Sequence, residues 1–295
     1  MPTFRADLHC HSLYSDGTSS PEQLIALAGK NGLSALSITD HDTVDAYREL
    51  EPSTEKKGLY HLRSESKGKE HPMPKIAIVS GIEFSTWFQN ANIHVLGYRF
   101  DPENPAMTAL CLKHKTRRQD RNRQMLEKLS SSGLNITEEE VSAGFHRGTI
   151  GRPHIALAMI KRGYISTIKE AFEKYLGEGR PCYVQGIAFS IDEAIDTIHE
   201  AGGLAVIAHP HLIKPQKLVK ALLHLPFDGI ECYYGAFSLQ VQEQWLKVAK
   251  KHNLLVTGGS DFHGDNKPGI DLGVSWVDEK YFDAILTTPS RSSRA

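Results

Sequence analysis

What most constrains this chain is where its titratable side chains fall. They close apolar, strand-like runs that alternate with helical patterns. "TFRADLHCH" ends on His9 and His11, and Asp40, His41 and Asp42 follow "LSALSIT". Glu83 follows "KIAIVSGI", and His94 lies within "NIHVLGY". "LAVIAH" closes on His209 with His211 two residues on, and "LLVTGGSDFH" closes on Asp261 and His263. Repeated βα units predict parallel strands joined by right-handed crossovers, and in a parallel α/β barrel the carboxyl ends of all strands meet on one rim. Residues at i and i+2 of a strand share a face. His9 and His11 therefore project together while Cys10 turns away, and Asp261 and His263 repeat the pattern.

The helices between these runs have readable ends. In "SPEQLIALAGKNG", Ser20 caps, Pro21 fits the first turn, Gln23 completes a capping box, and Asn31-Gly32 stops the helix. Thr137 with Glu140, and Ser190 with Glu193, predict two further capping boxes. Residues 101–180 change texture to a run of helical patterns, the longest ending at Gly133, and are read as a helical insert. Residues 51–74 are charged and aperiodic and are read as a surface loop. The tail 287–295 is read as disordered. The organisation expected is thus 1–100 with 181–286 as one discontinuous unit, interrupted by 101–180.

Composition excludes several classes. A net charge of −1 over 295 residues gives no broad basic footprint, so duplex DNA is not an expected partner. Four scattered cysteines without a C-x-x-C suit a reducing compartment. No run is long enough to span a membrane or to serve as a signal peptide, and the chain is read as cytoplasmic with no obligatory protein partner.

Imidazoles and carboxylates without thiolate suit a catalytic ion such as Mn, Zn or Fe more than a structural zinc. The strand-end groups are too many for one ion, and burying them together without a cation would cost several kcal/mol each, roughly. A shared carboxylate such as Glu83 would bridge two or three metals. His61, His71, His114, His146, His199, His224 and His252, in helical or loop segments, are assigned no role.

"DLHCHSLYSDGT", "SITDHDTV", "GIEFS", "IHVLGY", "AHPH" and "GSDFHG", in that order, resemble the motif series of the PHP (polymerase and histidinol phosphatase) superfamily. With "GRPHIALAMIKRGY" in the insert, the chain resembles its nucleoside 3′,5′-bisphosphate phosphatases and 5′-to-3′ exoribonucleases. The resemblance implies an α/β fold, a distorted seven-stranded (β/α) barrel with a helical insert, and three divalent ions, Mn²⁺ foremost with Zn²⁺ or Fe²⁺ as alternatives. It implies that His9, His11, Glu83 and Asp261 hold one ion, Glu83, His94 and His209 a second, and Asp16, His41 and His263 the third. The 51–74 stretch looks longer than the family needs.

The chemistry expected is in-line attack on phosphorus by a hydroxide held on the metals, with a nucleotide or short RNA as substrate. Asp42, beside His41, is an acceptor for a ligand imidazole, a proton relay, or a helix cap. Arg152 and His154 start a helix, where an anion is favoured. Lys113, Arg117 and Arg121 share a helix face that reads mainly as solvated, with Arg117 or Arg118 as candidate grips for a second phosphate. His211 is a ligand neighbour, a substrate contact or packing. Tyr98, Phe84 and Tyr233 are stacking candidates that are more often core. The rivals are an AMP or histidinol-phosphate phosphatase, a C–N bond metallohydrolase, and a non-catalytic module of the kind appended to polymerases.

Overall fold

In the computed structural model, residues 3–54, 58–62, 75–143, 148–187, 189–235 and 237–291 are described. The chain enters through β1 (Ala6–Cys10), buried along its whole length. Leu8 and Cys10 face apolar clusters, while Asp7, His9 and His11 take the other side and are fully buried too. Helix α1 (Pro21–Lys30) forms with both halves of the Ser20–Gln23 capping box in place, and leads to β2 (Ala35–Ile38), parallel to β1.

Among the described residues ten strands form two five-stranded sheets, each with parallel and antiparallel pairs. The first sheet adds β3 (Leu50–Pro52), β4 (Leu59–Leu62) and β5 (Ala77–Val79), in the order β1-β2-β5-β4-β3. The second runs β10 (Leu255–Gly259), β9 (Gly229–Tyr234), β8 (Leu204–Ile207), β7 (Ala91–Tyr98), β6 (Gly81–Phe88). Antiparallel pairs join β3 to β4, β4 to β5, β6 to β7 and, across the long segment between them, β7 to β8. Gln89 and Asn90, both at positive φ, supply the two-residue turn that joins β6 to β7. "KIAIVSGIEFS", read as one strand, is two: the chain changes sheet at Ser80, where Gly81 presses so close to Ser37 that a Cβ would lie 2.1 Å from its hydroxyl. Within 51–74, β3 pairs with β4, so the surface-loop reading fails there; residues 55–57 and 63–74, with His71, lie outside the described residues.

The sheets meet at the end where the strand-end histidines and carboxylates lie. Cys10 bridges to Phe262 and His41 to Glu83. Beside the first bridge β10 crosses β1 closely: a Cβ on Gly259 would lie 2.3 Å from the His9 nitrogen.

The insert opens with α2 (Pro105–Ser131), capped by Asn104. It continues through α3 (Glu138–Ser142), with its Thr137–Glu140 box formed, α4 (Arg152–Lys161) and α5 (Ile168–Ala171), which runs into a π turn. Residues from Met125 to Cys182 gather in their own apolar cluster. His146 lies outside the described residues. Helix α6 (Ile191–Glu200) is capped by Ser190, but Glu193 does not close a box; its carboxylate takes Lys113 at 2.8 Å instead. After α7 (Lys217–Leu222) and α8 (Leu239–His252), α9 (Glu279–Thr287) ends the regular structure. Within the tail, Arg291 pairs with buried Asp228 at 3.1 Å and Arg99 donates to the Thr288 carbonyl at 2.7 Å. Among the described residues no helix is long and apolar enough to cross a membrane.

Candidate metal centre and substrate cavity

Glu83 is the hub. Its Oε2 lies 3.4 Å from His9 Nε2, 3.2 Å from His11 Nε2 and 3.2 Å from His41 Nδ1. Its Oε1 lies 2.7 Å from His94 Nδ1 and 2.9 Å from His209 Nε2. Asp261 Oδ1 faces His9 and His11 at 3.4 and 3.3 Å. Asp16 faces His263 at 3.3 Å, His11 at 3.6 Å and His41 at 3.8 Å. All nine sequence-predicted ligands therefore come together. Among the described residues, potential ligand atoms fall into three groups, each within 4.8 Å: His9, His11, Glu83, Asp261; His11, Asp16, His41, His263; and His41, Glu83, His94. His41 stands in the last group where His209 was expected, and His209 reaches the cluster through Glu83 Oε1.

The electrostatics fit cations. His9 Nε2, His11 Nε2, His41 Nδ1 and Asp16 Oδ1 are buried without a hydrogen-bond partner, an arrangement that buried polar atoms avoid unless something else satisfies them. Burial works to raise the Glu83 carboxyl, but His41, His94 and His9 hold it well below its usual range. Burial, reinforced by His11 and His94, pushes His41 down to about 3, against the pull of Glu83 and Asp16. Ionised carboxylates beside imidazoles that can give up their protons are the donor set a divalent ion takes.

Backbone strain accompanies the site. Asp42, His209 and Asp261 all have positive φ, at 58°, 26° and 55°. Such conformations persist where surrounding structure over-determines them.

Residues without an assigned role hold the ligands in place. Glu231 takes His9 Nδ1 at 2.8 Å and the His209 N–H at 2.7 Å. Its signal was legible: a lone carboxylate between Ile230 and Cys232 in an otherwise apolar and aromatic strand. Asp40 accepts from Ser12 and Ser15, tying the loop after β1, and stands outside the ligand groups. Asp261 Oδ2 is held by Tyr234 Oη at 2.6 Å and by Lys267.

Asp42 is a correction. Its carboxylate accepts from the Ser85 N–H at 2.7 Å and Arg118 Nε at 2.7 Å, with His114 Nδ1 at 3.1 Å. Burial would raise it, yet His114 and Arg118 hold it well below the carboxylate range. It stays ionised and pins Arg118, and it gives no cap hydrogen bond to the turn that follows.

Beside the cup lies a cavity of about 240 Å³. Asp16, His41 and His94 form its metal-side wall; Arg117, Arg118, Arg121 and Arg152 face them from α2 and α4. Trp87, Phe172 and Tyr183 supply aromatic walls, and Arg152 lies 5.2 Å from the Phe172 ring centroid. The face read as solvated thus turns inward at Arg121, which is 8% exposed, while Lys113 points out to Glu193. His154 does not line the cavity: it is buried and accepts the Gly151 N–H at 3.0 Å, closing the start of its own helix. Tyr98 and Phe84 are core, and Tyr233 is absent from the lining. His211 stands on the opposite rim, its ring 4.4 Å from Tyr234 and 4.2 Å from Phe237.

Comparison with known proteins agrees with this geometry. Residues 7–205 match the model of the PHP domain. A 5′-3′ exoribonuclease of Haemophilus influenzae is 33% identical over 266 residues, covering 88% of this chain and 90% of that protein. A 3′,5′-nucleoside bisphosphate phosphatase of Chromobacterium violaceum is 30% identical, covering 90% of each. The crystal structure of a proposed metal-dependent phosphoesterase from Bifidobacterium adolescentis superposes with a TM-score of 0.81 at 31% identity, over 97% of this chain and 96% of that one.

Proposed function

Because this chain belongs to the PHP domain family of metal-dependent phosphoesterases, we propose that it breaks the 3′-phosphoester bond of a nucleotide carrying a 5′-phosphate. Nucleoside 3′,5′-bisphosphates and 5′-phosphorylated short RNA are two forms of that substrate. The observation that carries the reading is the cavity: four arginines and three aromatic rings stand across from Asp16, His41 and His94. Asp42 neutralises Arg118, while burial and the neighbouring Arg118, Arg152 and Arg117 lower Arg121 well below its usual range. A phosphate supplies the missing counter-charge, with two parallel hydrogen bonds to a guanidinium, and an aromatic wall suits a base.

His9, His11, Glu83 and Asp261 would hold one ion, Glu83, His94 and His209 a second, and Asp16, His41 and His263 a third, with Mn²⁺ favoured by the oxygen and imidazole donors. When bound, such ions lower the pKa of coordinated water from roughly 15.7 to about 7 and polarise phosphoryl oxygens. Glu231 keeps His9 in one tautomer, Tyr234 and Lys267 keep Asp261 presenting Oδ1, and the arginines fix the 5′-phosphate so that the 3′-phosphorus meets the cup. A water oxygen bonds to phosphorus, the bond to the 3′-oxygen breaks, and a proton ends on that oxygen. A bisphosphate yields the 5′-monophosphate and inorganic phosphate. An RNA yields the same monophosphate and a chain shortened by one nucleotide with a new 5′-phosphate. This shared bond is why one site serves both.

The helical segment 101–180 supplies the substrate end in this reading, since α2 and α4 carry the arginines. The distorted barrel of the family would be the two sheets closed across the Cys10–Phe262 and His41–Glu83 bridges. Four free thiols fit a cytoplasmic enzyme.

A substrate panel with Mn²⁺ tests the reading: adenosine 3′,5′-bisphosphate, AMP, histidinol phosphate and 5′-phosphorylated short RNA. Turnover of the first and last, with little on AMP or histidinol phosphate, is expected. Preference for histidinol phosphate, or C–N cleavage in place of phosphate release, overturns it.

A further inference from the structure

We propose that the rim across the cup from the arginine cavity is a second nucleotide subsite, which holds the nucleotide downstream of the scissile phosphate. The inference rests on the RNA form of the reading above.

The cup has two sides. Asp16, His41 and His94 line the arginine cavity, whereas His209 and Asp261 do not. Those two are flanked by Tyr234, whose hydroxyl lies 2.6 Å from Asp261 and whose ring lies 5.8 Å from that of His209. Ring contacts then run outward without a break: His41 to His94 at 5.1 Å, His94 to His209 at 5.1 Å, Tyr234 to His211 at 4.4 Å, and His211 to Phe237 at 4.2 Å. The row starts at the wall of the cavity and ends on Phe237, which is 39% exposed.

Beside this end of the row, Leu212 in the loop after β8 and Leu239 at the start of α8 are exposed to solvent. The rim is basic as well: Lys214, in the loop after β8, and Lys267, which follows β10 and pairs with Asp261, both lie close enough to His211 to act on it electrostatically. An apolar, aromatic and cationic rim continuous with a phosphoesterase cup matches a single-stranded polyanion, whose bases stack on aromatic faces while lysines track the backbone. Its place fits the chemistry too. In a chain, the phosphorus carries the first nucleotide on its 3′-oxygen, in the arginine cavity, and the next nucleotide on its remaining ester. With the first nucleotide in the cavity, the next one leaves the cup on the other side. A mononucleotide bisphosphate has nothing to put there.

The test compares wild type, Phe237→Ala and Phe237→Trp on adenosine 3′,5′-bisphosphate and on a 5′-phosphorylated trinucleotide. Loss of one stacked base is expected to lower kcat/KM on the trinucleotide by about five- to a hundredfold, mainly through KM, with the bisphosphate within about twofold and the tryptophan variant restoring the loss. A trinucleotide with an abasic second position should show the same deficit with wild type and no further deficit with Phe237→Ala. Equal loss on both substrates, or undiminished cleavage of the trinucleotide by Phe237→Ala, overturns the subsite. So does a change of oligomeric state on light scattering with trinucleotide cleavage intact, which would assign the patch to a contact between copies. Wild-type protein that turns over neither substrate refutes the functional reading and the subsite together; wild type that cleaves the trinucleotide no better than Phe237→Ala refutes the subsite alone.

Discussion

Glu231 Oε1 lies 2.8 Å from His9 Nδ1, on the side of the ring away from Glu83, and so turns Nε2 toward Glu83 and Asp261. A carboxylate placed behind a ligand imidazole fixes its tautomer and raises its basicity, and removing one typically costs 10–100-fold in metal affinity, roughly. Glu231→Ala is expected to weaken Mn²⁺ binding by about that factor, read by electron paramagnetic resonance titration of free Mn²⁺. Unchanged affinity in a folded variant contradicts the assignment of His9.

Arg121 offers a sharper separation of function from stability. It is 8% exposed, its Nε has no hydrogen-bond partner, and three other arginines share its cavity. Replacing an uncompensated buried charge with an apolar side chain is neutral or stabilising. Arg121→Met is therefore expected to keep or raise Tm while kcat/KM on the bisphosphate falls roughly a hundredfold, the scale of losing one buried charged partner. A fall in Tm with unchanged kinetics would place Arg121 in the packing instead.

Metal binding is expected to expel protons. In protein stripped by chelator, burial works to lower His11, but the neighbouring carboxylates of Asp261, Glu83 and Asp16 push it up to about 10. Its folded value exceeds the ordinary 6.5 or so. Its charged form thus stabilises the stripped fold fully below that pH and ceases to do so as pH rises through about 10. A metal needs the neutral ring, so affinity rises with pH in this range. Calorimetry of Mn²⁺ binding at pH 8 in buffers of different ionisation enthalpy should report release of about one proton or more; no buffer dependence contradicts this.

At the far end of the strands, Asp228 ties His199 at 2.7 Å, the Ala205 N–H at 2.9 Å and Arg291 at 3.1 Å. Burial would raise its carboxyl, but the His199, Ala205 and Arg291 hydrogen bonds hold it below the usual value. Its contribution is present above the unfolded pKa of about 3.9 and is lost as pH falls through the lower folded value. Asp228→Asn should lower stability at pH 7 by about 3 kcal/mol and flatten the acid limb, as measured by urea unfolding from pH 2 to 7. Arg291→Ala, with that side chain 42% exposed, should cost under about 1 kcal/mol.

The clustering of the strand-end side chains was legible because strand periodicity and strand ends are local, whereas Asp16 entered only through the family resemblance. His9 with His11, and Asp261 with His263, needed only the two-residue repeat to be paired. Helix starts were legible for the same reason, as at Ser20 and Thr137. What was not legible depends on distant partners. Nothing near Asp42 in the chain announces Arg118, and nothing near Glu193 announces Lys113, which draws its carboxylate out of a capping box. The change of sheet at Ser80 hides inside a continuous apolar run, so two strands read as one. His154 sits where an anion grip is expected and instead accepts from its own helix start. Glu231 was within reach, since a carboxylate in a buried strand requires a partner.

The central claim is that Glu83 and its five surrounding imidazoles, with Asp16, His263 and Asp261, bind divalent ions that the reaction requires. Anomalous diffraction at the manganese edge, on crystals of enzyme active with Mn²⁺, measures this most directly. The account predicts peaks within coordination distance of Glu83, between His9, His11 and Asp261 and toward Asp16, His41 and His263. Active crystals with no peak within reach of Glu83 would contradict it.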